Sequence, residues 1–90
     1  MGNAPSIISD EEIIKLQKTR IIIFKDKYIY DLTKYTNEHP GGKNAILRNQ
    51  GKNCNISYDF HSKQAQKLWK EYCIGILHPV SLFIHNTTEA

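Results

Sequence analysis

Two histidines stand where the chain can aim a side chain at a ligand. His39 begins the string His39-Pro40-Gly41-Gly42, and His61 follows 22 residues later, ahead of a predicted helix. Proline fixes the backbone direction, and the two glycines lack the Cβ atoms that would keep a flat ligand away from the main chain. Two imidazoles that face each other across an apolar slot are the arrangement that holds a haem iron from both sides.

Two other interpretations of these histidines stay open at this point. The first string is also an ordinary turn with an incidental histidine. A zinc site with Cys54 and Cys73 is a further alternative, although these cysteines lack the closely spaced ligand pairs of structural zinc motifs. Covalent c-type haem is excluded because no CxxCH string occurs. We expect both cysteines to be reduced, with Cys73 buried, and His78 and His85 to be exposed.

The elements that must position the two histidines follow from hydrophobic periodicity and capping signals. Ser9 and Glu12 form a capping box at the start of the first helix. The pattern predicts, in order, a helix over 10–17, a hairpin of strands over 20–24 and 28–30, a helical turn reaching 37, helices over 43–50 and 63–71, and a strand over 73–77.

The last predicted helix presents an apolar face next to the second histidine. His61, Ala65, Leu68 and Tyr72 recur at helical spacing. Trp69 lies beside them, and we expect it to pack in the core rather than to cover a haem edge. This face is therefore the predicted wall of a ligand pocket.

The whole set of motifs resembles the cytochrome b5 family over residues 7–79. The resemblance is carried by Tyr30-Asp31-Leu32-Thr33, His39-Pro40-Gly41-Gly42, His61-Ser62 and Ile74-Gly75-Ile76-Leu77-His78-Pro79. It implies an α+β, cytochrome b5-like fold, a small mixed β-sheet with short helices forming a haem pocket. The expected organisation is an N-terminal tail over 1–6, the haem-binding domain over 7–79 and a C-terminal tail over 80–90.

The resemblance also implies site residues. His39 and His61 take the place of the family's axial ligands of a non-covalent, six-coordinate haem b, and Ser62 takes the place of a serine that hydrogen-bonds a haem propionate. The implied cofactor-binding residues are Tyr35, Pro40, Gly41, Gly42, Ile46, Leu47, Tyr58, Phe60, Ser62, Leu68 and Tyr72. The chain departs from microsomal members in a shorter segment between the histidines and in the lack of an acidic run before His61.

These residues imply a function without substrate turnover, because two histidine ligands leave the iron no open site. We expect a monomeric one-electron carrier between a reductase and an acceptor, and not an enzyme. The alternative is a haem-binding or haem-sensing module without a dedicated electron-transfer role.

The net charge is +3, and basic residues cluster near the presumed pocket, which predicts partners with an acidic or neutral docking face. These residues are Lys43, Arg48, Lys52, Lys63 and Lys67. No nucleic-acid-binding motif occurs.

The sequence also bears on location. The longest apolar run, Ile21 to Phe24, is far shorter than a membrane span, and no secretory signal is present. We therefore expect a cytoplasmic protein. The start Met1-Gly2-Asn3-Ala4-Pro5-Ser6 fits the M-G-x-x-x-S pattern of N-myristoylation at Gly2, which would make the protein a peripheral membrane protein.

Overall fold

The computed structural model describes residues 6–35, 43–48, 50–52 and 63–85 of the chain. The elements in chain order are β1 (Ile7–Ile8), α1 (Asp10–Gln17), β2 (Ile22–Lys25), β3 (Tyr28–Asp31), α2 (Lys43–Leu47), α3 (Lys63–Glu71), β4 (Cys73–Leu77) and a 3-10 helix (Leu82–His85). The α+β fold is confirmed, and α1, α3 and β4 occupy their predicted ranges.

Within the described residues, the strands form one mixed sheet in the order β1-β4-β3-β2. β1 runs parallel to β4, with Ile7 opposite Ile76 and Ile8 opposite Leu77. The β2–β3 and β3–β4 pairs are antiparallel. The first and last strands of the chain are therefore direct neighbours.

Gly75 allows β1 to approach β4 closely. A Cβ atom on this glycine would lie 2.7 Å from the backbone oxygen of Ser6 and 2.7 Å from Cδ1 of Ile8. That same oxygen accepts a hydrogen bond from the Ile76 amide at 3.0 Å. A side chain at position 75 would thus compete with the pairing of β1 and β4.

Helix α1 begins at the predicted cap. The Ser9 hydroxyl accepts a hydrogen bond from the Glu12 amide at 3.2 Å, satisfying one of the amides that a helix leaves unpaired at its start. On the inner side of the helix, Ile13 is fully buried. The local capping signal and the apolar face act together to fix α1 on the sheet.

Helix α2 ends three residues earlier than the predicted range of 43–50. The chain after it instead hydrogen-bonds the edge of β2: the Gly51 amide donates to the Ile22 carbonyl at 2.7 Å, and the Phe24 amide donates to the Lys52 carbonyl at 3.0 Å. Gly51 has φ +75, in the left-handed region that glycine tolerates. Because these backbone groups of β2 bond residues 51 and 52, the chain leaves the helix before it reaches them.

The sheet separates two apolar layers. We call the buried residues on one face the first cluster: Ile23, Tyr30, Leu32, Ile46 and Trp69. Those on the other face are the second cluster: Ile13, Ile22, Phe24, Ile29 and Leu77. Side chains alternate along β2 and β3, as expected for strands covered on both faces. Helices α2 and α3 cover the first cluster, and α1 covers the second.

The structure differs from the predicted C-terminal tail over residues 81–84. Phe83 and Ile84 pack against the second cluster, and the rings of Phe83 and Phe24 have centroids 5.3 Å apart. The Asp10 carboxylate accepts hydrogen bonds from the Ser81 hydroxyl at 2.5 Å and from the Leu82 amide at 3.0 Å. The two hydrogen bonds to Asp10 join residues more than 70 positions apart, so no local sequence pattern predicts them.

Among the described residues, no helix has the length and apolar character needed to cross a membrane.

Candidate cofactor-binding site

The floor of the candidate site is the first cluster. Tyr30 and Trp69 meet edge to face, with ring centroids 5.2 Å apart and an interplanar angle of 75°. Trp69 is 9% exposed and packs in the core, while its position relative to a haem edge stays a prediction. Ile46 from α2 is 6% exposed in the same cluster. Both helices and the hairpin therefore contribute to one apolar floor.

Two predicted pocket residues from distant parts of the chain meet at the side of this floor. Tyr35 and Tyr72 have ring centroids 5.4 Å apart at an interplanar angle of 39°, and both pack partly buried against the first cluster. The Tyr72 carbonyl accepts a hydrogen bond from the Asp31 amide at 3.0 Å, which ties the end of α3 to the end of β3. This backbone link brings the two rings together.

A polar network holds the turn that carries Tyr35. The Asp31 carboxylate accepts hydrogen bonds from the Thr33 amide at 3.0 Å and the Thr33 hydroxyl at 2.5 Å, and it pairs with Arg20. The Thr33 hydroxyl accepts a further bond from the Ile21 amide at 2.9 Å. Burial raises the pKa of Asp31, but the bonds from Thr33 and Arg20 outweigh this effect and hold the pKa below its usual value.

The sequence predicts Asp31 or Thr33 as the cap of the helical turn that follows, but it does not predict the part of Arg20. Asp and Thr two residues apart are a recognised turn signal, because a short carboxylate can accept a bond from the amide two positions on. Arg20 reaches Asp31 only once the hairpin has formed, so its part in the network lies beyond a local pattern. The network positions the turn that carries Tyr35, a predicted pocket residue.

The two predicted leucines lie farther out. Leu47 and Leu68 are both half-buried. Leu68 lines an open cavity of about 490 Å³ together with Gln64, Ala65, Lys67 and Glu71. The described part of the site therefore combines a closed apolar floor with an open, partly charged outer margin.

The remaining predicted site residues lie outside the described residues, so their roles stay predictions. They are the ligand histidines His39 and His61 and the pocket residues Pro40, Gly41, Gly42, Tyr58, Phe60 and Ser62. Cys54 also lies outside them, as does the side chain of His85.

Two further predictions are tested by the structure. His78 is exposed, as predicted, and its Nδ1 accepts a hydrogen bond from the Val80 amide at 3.1 Å. Cys73 is a free cysteine, but the prediction that it is buried is wrong because it is only half-buried. It lies at the first position of β4, where its Sγ donates to the Gly75 carbonyl at 3.6 Å.

The chemistry of the described wall fits a flat apolar cofactor. The floor is made of aliphatic and aromatic side chains, and no buried side-chain nitrogen or oxygen of the described residues lacks a hydrogen-bond partner. Apolar lining with few polar groups is typical of cofactor pockets. A haem macrocycle would meet carbon surface here, and the iron ligands would have to come from the adjoining segments.

The described elements form a small α+β domain in which two short helices cover an apolar cluster on one face of the sheet. The sequence profile of the family described as "Cytochrome b5-like Heme/Steroid binding domain" matches residues 9–78. The match covers most of the chain, and the chain belongs to this family. Its cofactor is haem b, held without covalent attachment.

Individual relatives agree with the family. The chain is similar to cytochrome b5 type B of Pongo abelii, with 39% identity over 63 residues, covering 68% of this chain and 42% of the relative. It is 43% identical over 79 residues to an NADH nitrate reductase of Brassica napus, covering 86% of this chain and 9% of the relative.

A solved structure supports the fold. Cytochrome b5 of Ostreococcus tauri virus 2 superposes with a TM-score of 0.60 at 27% identity, covering 73% of this chain and 92% of that chain. The chain thus spans nearly all of this relative, but less than half the length of the type B protein.

Proposed function

We propose that this domain carries single electrons in the cytoplasm between a reductase and an acceptor, with His39 and His61 as the two axial ligands. When bound, haem b supplies one-electron exchange between ferric and ferrous iron. The protein's own residues contribute ligands, an apolar enclosure and surface charge. His39 and His61 would hold the iron and would leave it no coordination site for a substrate, so we propose that the domain is not itself an enzyme.

The observation that carries the proposal is how the described helices meet the apolar floor. Helix α2 begins four residues after His39, and α3 begins two residues after His61. These same helices contribute Ile46 and Trp69 to the first cluster. Each proposed ligand is therefore close in sequence to a helix that is anchored on the floor of the site, which supports their roles on either side of a shared cofactor.

The charge around these helices supports the proposed partners. Arg48, Lys52, Lys63 and Lys67 are all exposed. Glu71, exposed at the end of α3, adds an acidic residue to this surface, so the excess of positive charge is smaller than the basic cluster alone suggests. We propose that reductase and acceptor present acidic or neutral docking faces, since complementary charge steers association. We also propose that the domain acts as a monomer.

The proposal is tested by absorption spectra of the purified protein, oxidised and reduced. The wild type is expected to show six-coordinate, low-spin haem in both states. His39→Ala and His61→Ala should each lose this spectrum, because each removes one axial ligand. His78→Ala is the matched control: this histidine is exposed and lies after β4, so its substitution should leave the spectrum unchanged.

Low-spin spectra that survive both His39→Ala and His61→Ala would reject the ligand assignment. Electron transfer is tested separately by stopped-flow reduction and reoxidation of the wild type. If the ligands are correct but haem dissociates reversibly at physiological concentrations and electron exchange is slow, the haem-sensing alternative replaces the carrier.

A further inference from the structure

An exposed apolar surface lies where the 3-10 helix meets the first turn of α1. We call its four large apolar side chains the Asp10 patch: Ile7, Ile14, Val80 and Leu82. Val80 and Leu82 are 79% and 82% exposed, and Ile7 and Ile14 are 55% and 51% exposed. Large apolar side chains grouped on a small domain mark an interaction surface.

The members of the patch are neighbours around one carboxylate. Ile7 and Val80 line one open cavity of about 280 Å³ together with Asp10. The Leu82 amide donates to the Asp10 carboxylate at 3.0 Å, and Ile14 lies one helical turn after Asp10 on the same side of α1. Asp10 therefore lies at the centre of the patch.

Asp10 also holds the patch in place. Its carboxylate accepts hydrogen bonds from the Ser81 hydroxyl at 2.5 Å and from the Leu82 amide, and these bonds lower the pKa of Asp10. They tie the segment that carries Val80 and Leu82 to α1. A surface whose backbone is already fixed loses less freedom when a partner binds, which favours its use in recognition.

The exposed charge beside this surface is acidic. Asp10, Glu11 and Glu12 form the first turn of α1. Glu11 and Glu12 are exposed, and among the described residues neither side chain forms an ion pair. The patch is thus bordered by free carboxylates in a chain whose net charge is +3, so its charge differs in sign from that of the whole molecule.

Positive charge on α1 lies toward the other end of the helix. Lys15 in the last turn and Lys18 at the C-cap both follow Ile14 in the sequence. An occupant of the patch therefore meets negative charge at the end near Leu82. Complementary charge steers a partner and fixes its orientation, so the surface selects positive charge at this end.

We propose that the Asp10 patch docks a segment of a partner protein that presents apolar side chains flanked by Lys or Arg. The apolar side chains of the segment cover Val80 and Leu82, and its basic side chains pair with Glu11 and Glu12. A bilayer rich in phosphatidylserine fits less well, because these carboxylates repel its head groups. The predicted myristoylation site at Gly2 lies outside the described residues, and docking does not require it.

The docked segment and the candidate cofactor site lie on different faces of the sheet. The 3-10 helix and α1 pack on the second cluster, whereas α2 and α3 cover the first. A partner bound at the patch leaves α2 and α3 open to a reductase or acceptor. Docking does not depend on His39 or His61, so the ligand assignment and the docking can fail independently of each other.

Docking is measured on the full chain by fluorescence anisotropy with a labelled amphipathic helical peptide of leucine and lysine. The wild type is expected to bind this peptide, and absence of binding would overturn the proposal. Glu11→Gln/Glu12→Gln is expected to weaken binding roughly fivefold at low salt, because two ion pairs are lost. Asp26→Asn/Glu71→Gln is the matched control, since it removes two exposed carboxylates away from the patch. Equal weakening in both variants would overturn the charge complementarity.

The apolar part of the contact is tested with Val80→Ser/Leu82→Ser. This variant is expected to bind the peptide roughly tenfold more weakly, because two apolar side chains are lost from the contact. Val80→Ile/Leu82→Met keeps the apolar surface and should bind like the wild type. Both positions are highly exposed, so the fold should be retained, and circular dichroism checks this. Wild-type affinity in the serine variant would overturn the role of the patch.

Hydrogen exchange with and without the peptide locates the contact. Amides of residues 7–14 and 80–84 are expected to become protected, while those of α3 are the internal control and should not change. Protection of α3 instead would overturn the proposed surface.

Sedimentation of the chain, alone and with vesicles of phosphatidylcholine and phosphatidylserine, tests the other occupants. The wild type is expected to stay monomeric and to remain off the vesicles. Self-association or vesicle binding that is lost in Val80→Ser/Leu82→Ser would assign the patch to a second copy of the chain or to lipid, and would overturn the proposal.

Discussion

Asp31 connects the hairpin to the candidate site through its bonds to Thr33 and Arg20. Its side chain is 12% exposed, while that of Arg20 is 40% exposed. Replacing Asp31 with asparagine keeps an acceptor for Thr33 but removes the charge that pairs with Arg20. We expect Asp31→Asn to lower the free energy of unfolding by about 1 kcal/mol, measured by urea denaturation.

The matched control for this substitution is Asp26→Asn. Asp26 pairs with Lys25 at 2.6 Å, but its side chain is 51% exposed, and asparagine tolerates its positive φ of 54°. The free energy of unfolding should change little. An equal loss in both variants would show that the Asp31 network contributes nothing beyond an exposed ion pair.

Asp31 also makes stability depend on pH. The pKa of its carboxyl is lower in the folded protein than its ordinary value, so its contribution is complete above about pH 4 and is lost as the pH falls toward the folded-state pKa. Urea denaturation between about pH 2 and 5 should show a steeper decline for the wild type than for Asp31→Asn. Parallel curves would contradict the assignment.

Gly75 is the residue on which the pairing of β1 with β4 depends. Gly75→Ala places a Cβ against Ser6 and Ile8, and overpacking of this kind costs about 1–3 kcal/mol. The free energy of unfolding should fall by this amount, and the Ile76 amide should exchange faster as β1 separates. An unchanged Ile76 exchange rate would mean that β1 tolerates the side chain.

At the scale of elements, the 3-10 helix is a structural part of the second cluster. Phe83→Ala removes the ring that packs on Phe24 and should lower the free energy of unfolding by about 2–3 kcal/mol. The haem spectrum should stay unchanged because this packing lies on the face of the sheet opposite the first cluster. Thermal denaturation and absorption spectra measure the two effects.

The neighbouring residue provides the control for this prediction. Leu82 is 82% exposed, so Leu82→Ala removes almost no buried surface and should leave stability nearly unchanged. If both alanine variants destabilise the protein equally, the effect belongs to the backbone of the segment and not to the Phe83 ring.

The elements that the sequence predicts well are those specified by local signals. Helix α1 has its capping box, and the periodicity of α3 is unbroken, so both occupy the predicted ranges. Helix α2 is shorter than predicted because residues 51 and 52 hydrogen-bond the edge of β2. This edge exists only once the sheet has formed. The sequence does not predict the 3-10 helix for the same reason, since its contacts with Asp10 and Phe24 join remote parts of the chain.

The candidate site follows a similar division. The structure brings Tyr35 next to Tyr72 and buries Ile46, while the part of these residues in cofactor binding stays a prediction. The supporting bonds of Arg20 were not predictable, because they depend on the register of the hairpin. The roles of His39 and His61 rest on the sequence motifs and await the spectra of their variants.

For the whole molecule, the two-layer arrangement predicts how the protein responds to loss of haem. Helices α2 and α3 border the cofactor site, while the second cluster is closed by protein side chains. In the apoprotein, amides of α2 and α3 should exchange faster, whereas β2 and α1 should remain protected. Hydrogen exchange before and after haem addition measures this. Uniform loss of protection would mean that the two layers unfold together.

Positive charge on α3, which borders the candidate cofactor site, should raise the reduction potential of the haem. Lys63→Gln/Lys67→Gln removes two exposed positive charges that favour the ferrous state, so the potential should fall by on the order of 10 mV per lysine at low salt. Lys15→Gln/Lys18→Gln, at the C-terminal end of α1, makes the same change in net charge on the other face of the sheet. Redox titration should show a smaller shift for this control; equal shifts would indicate an effect of net charge alone.

The parallel pairing of β1 with β4 has a consequence for the architecture of larger proteins. Ile7 and Leu77 lie on the first and last strands of the domain, which are adjacent, and the segment after β4 stays close to β1 because Ser81 and Leu82 bond Asp10. A domain with neighbouring ends can be spliced into a surface loop of a host protein through short linkers, without forcing the host's own strands apart. The two-residue strand β1, which pairs with β4 at the edge of the sheet, thus makes the domain suited to insertion into other proteins.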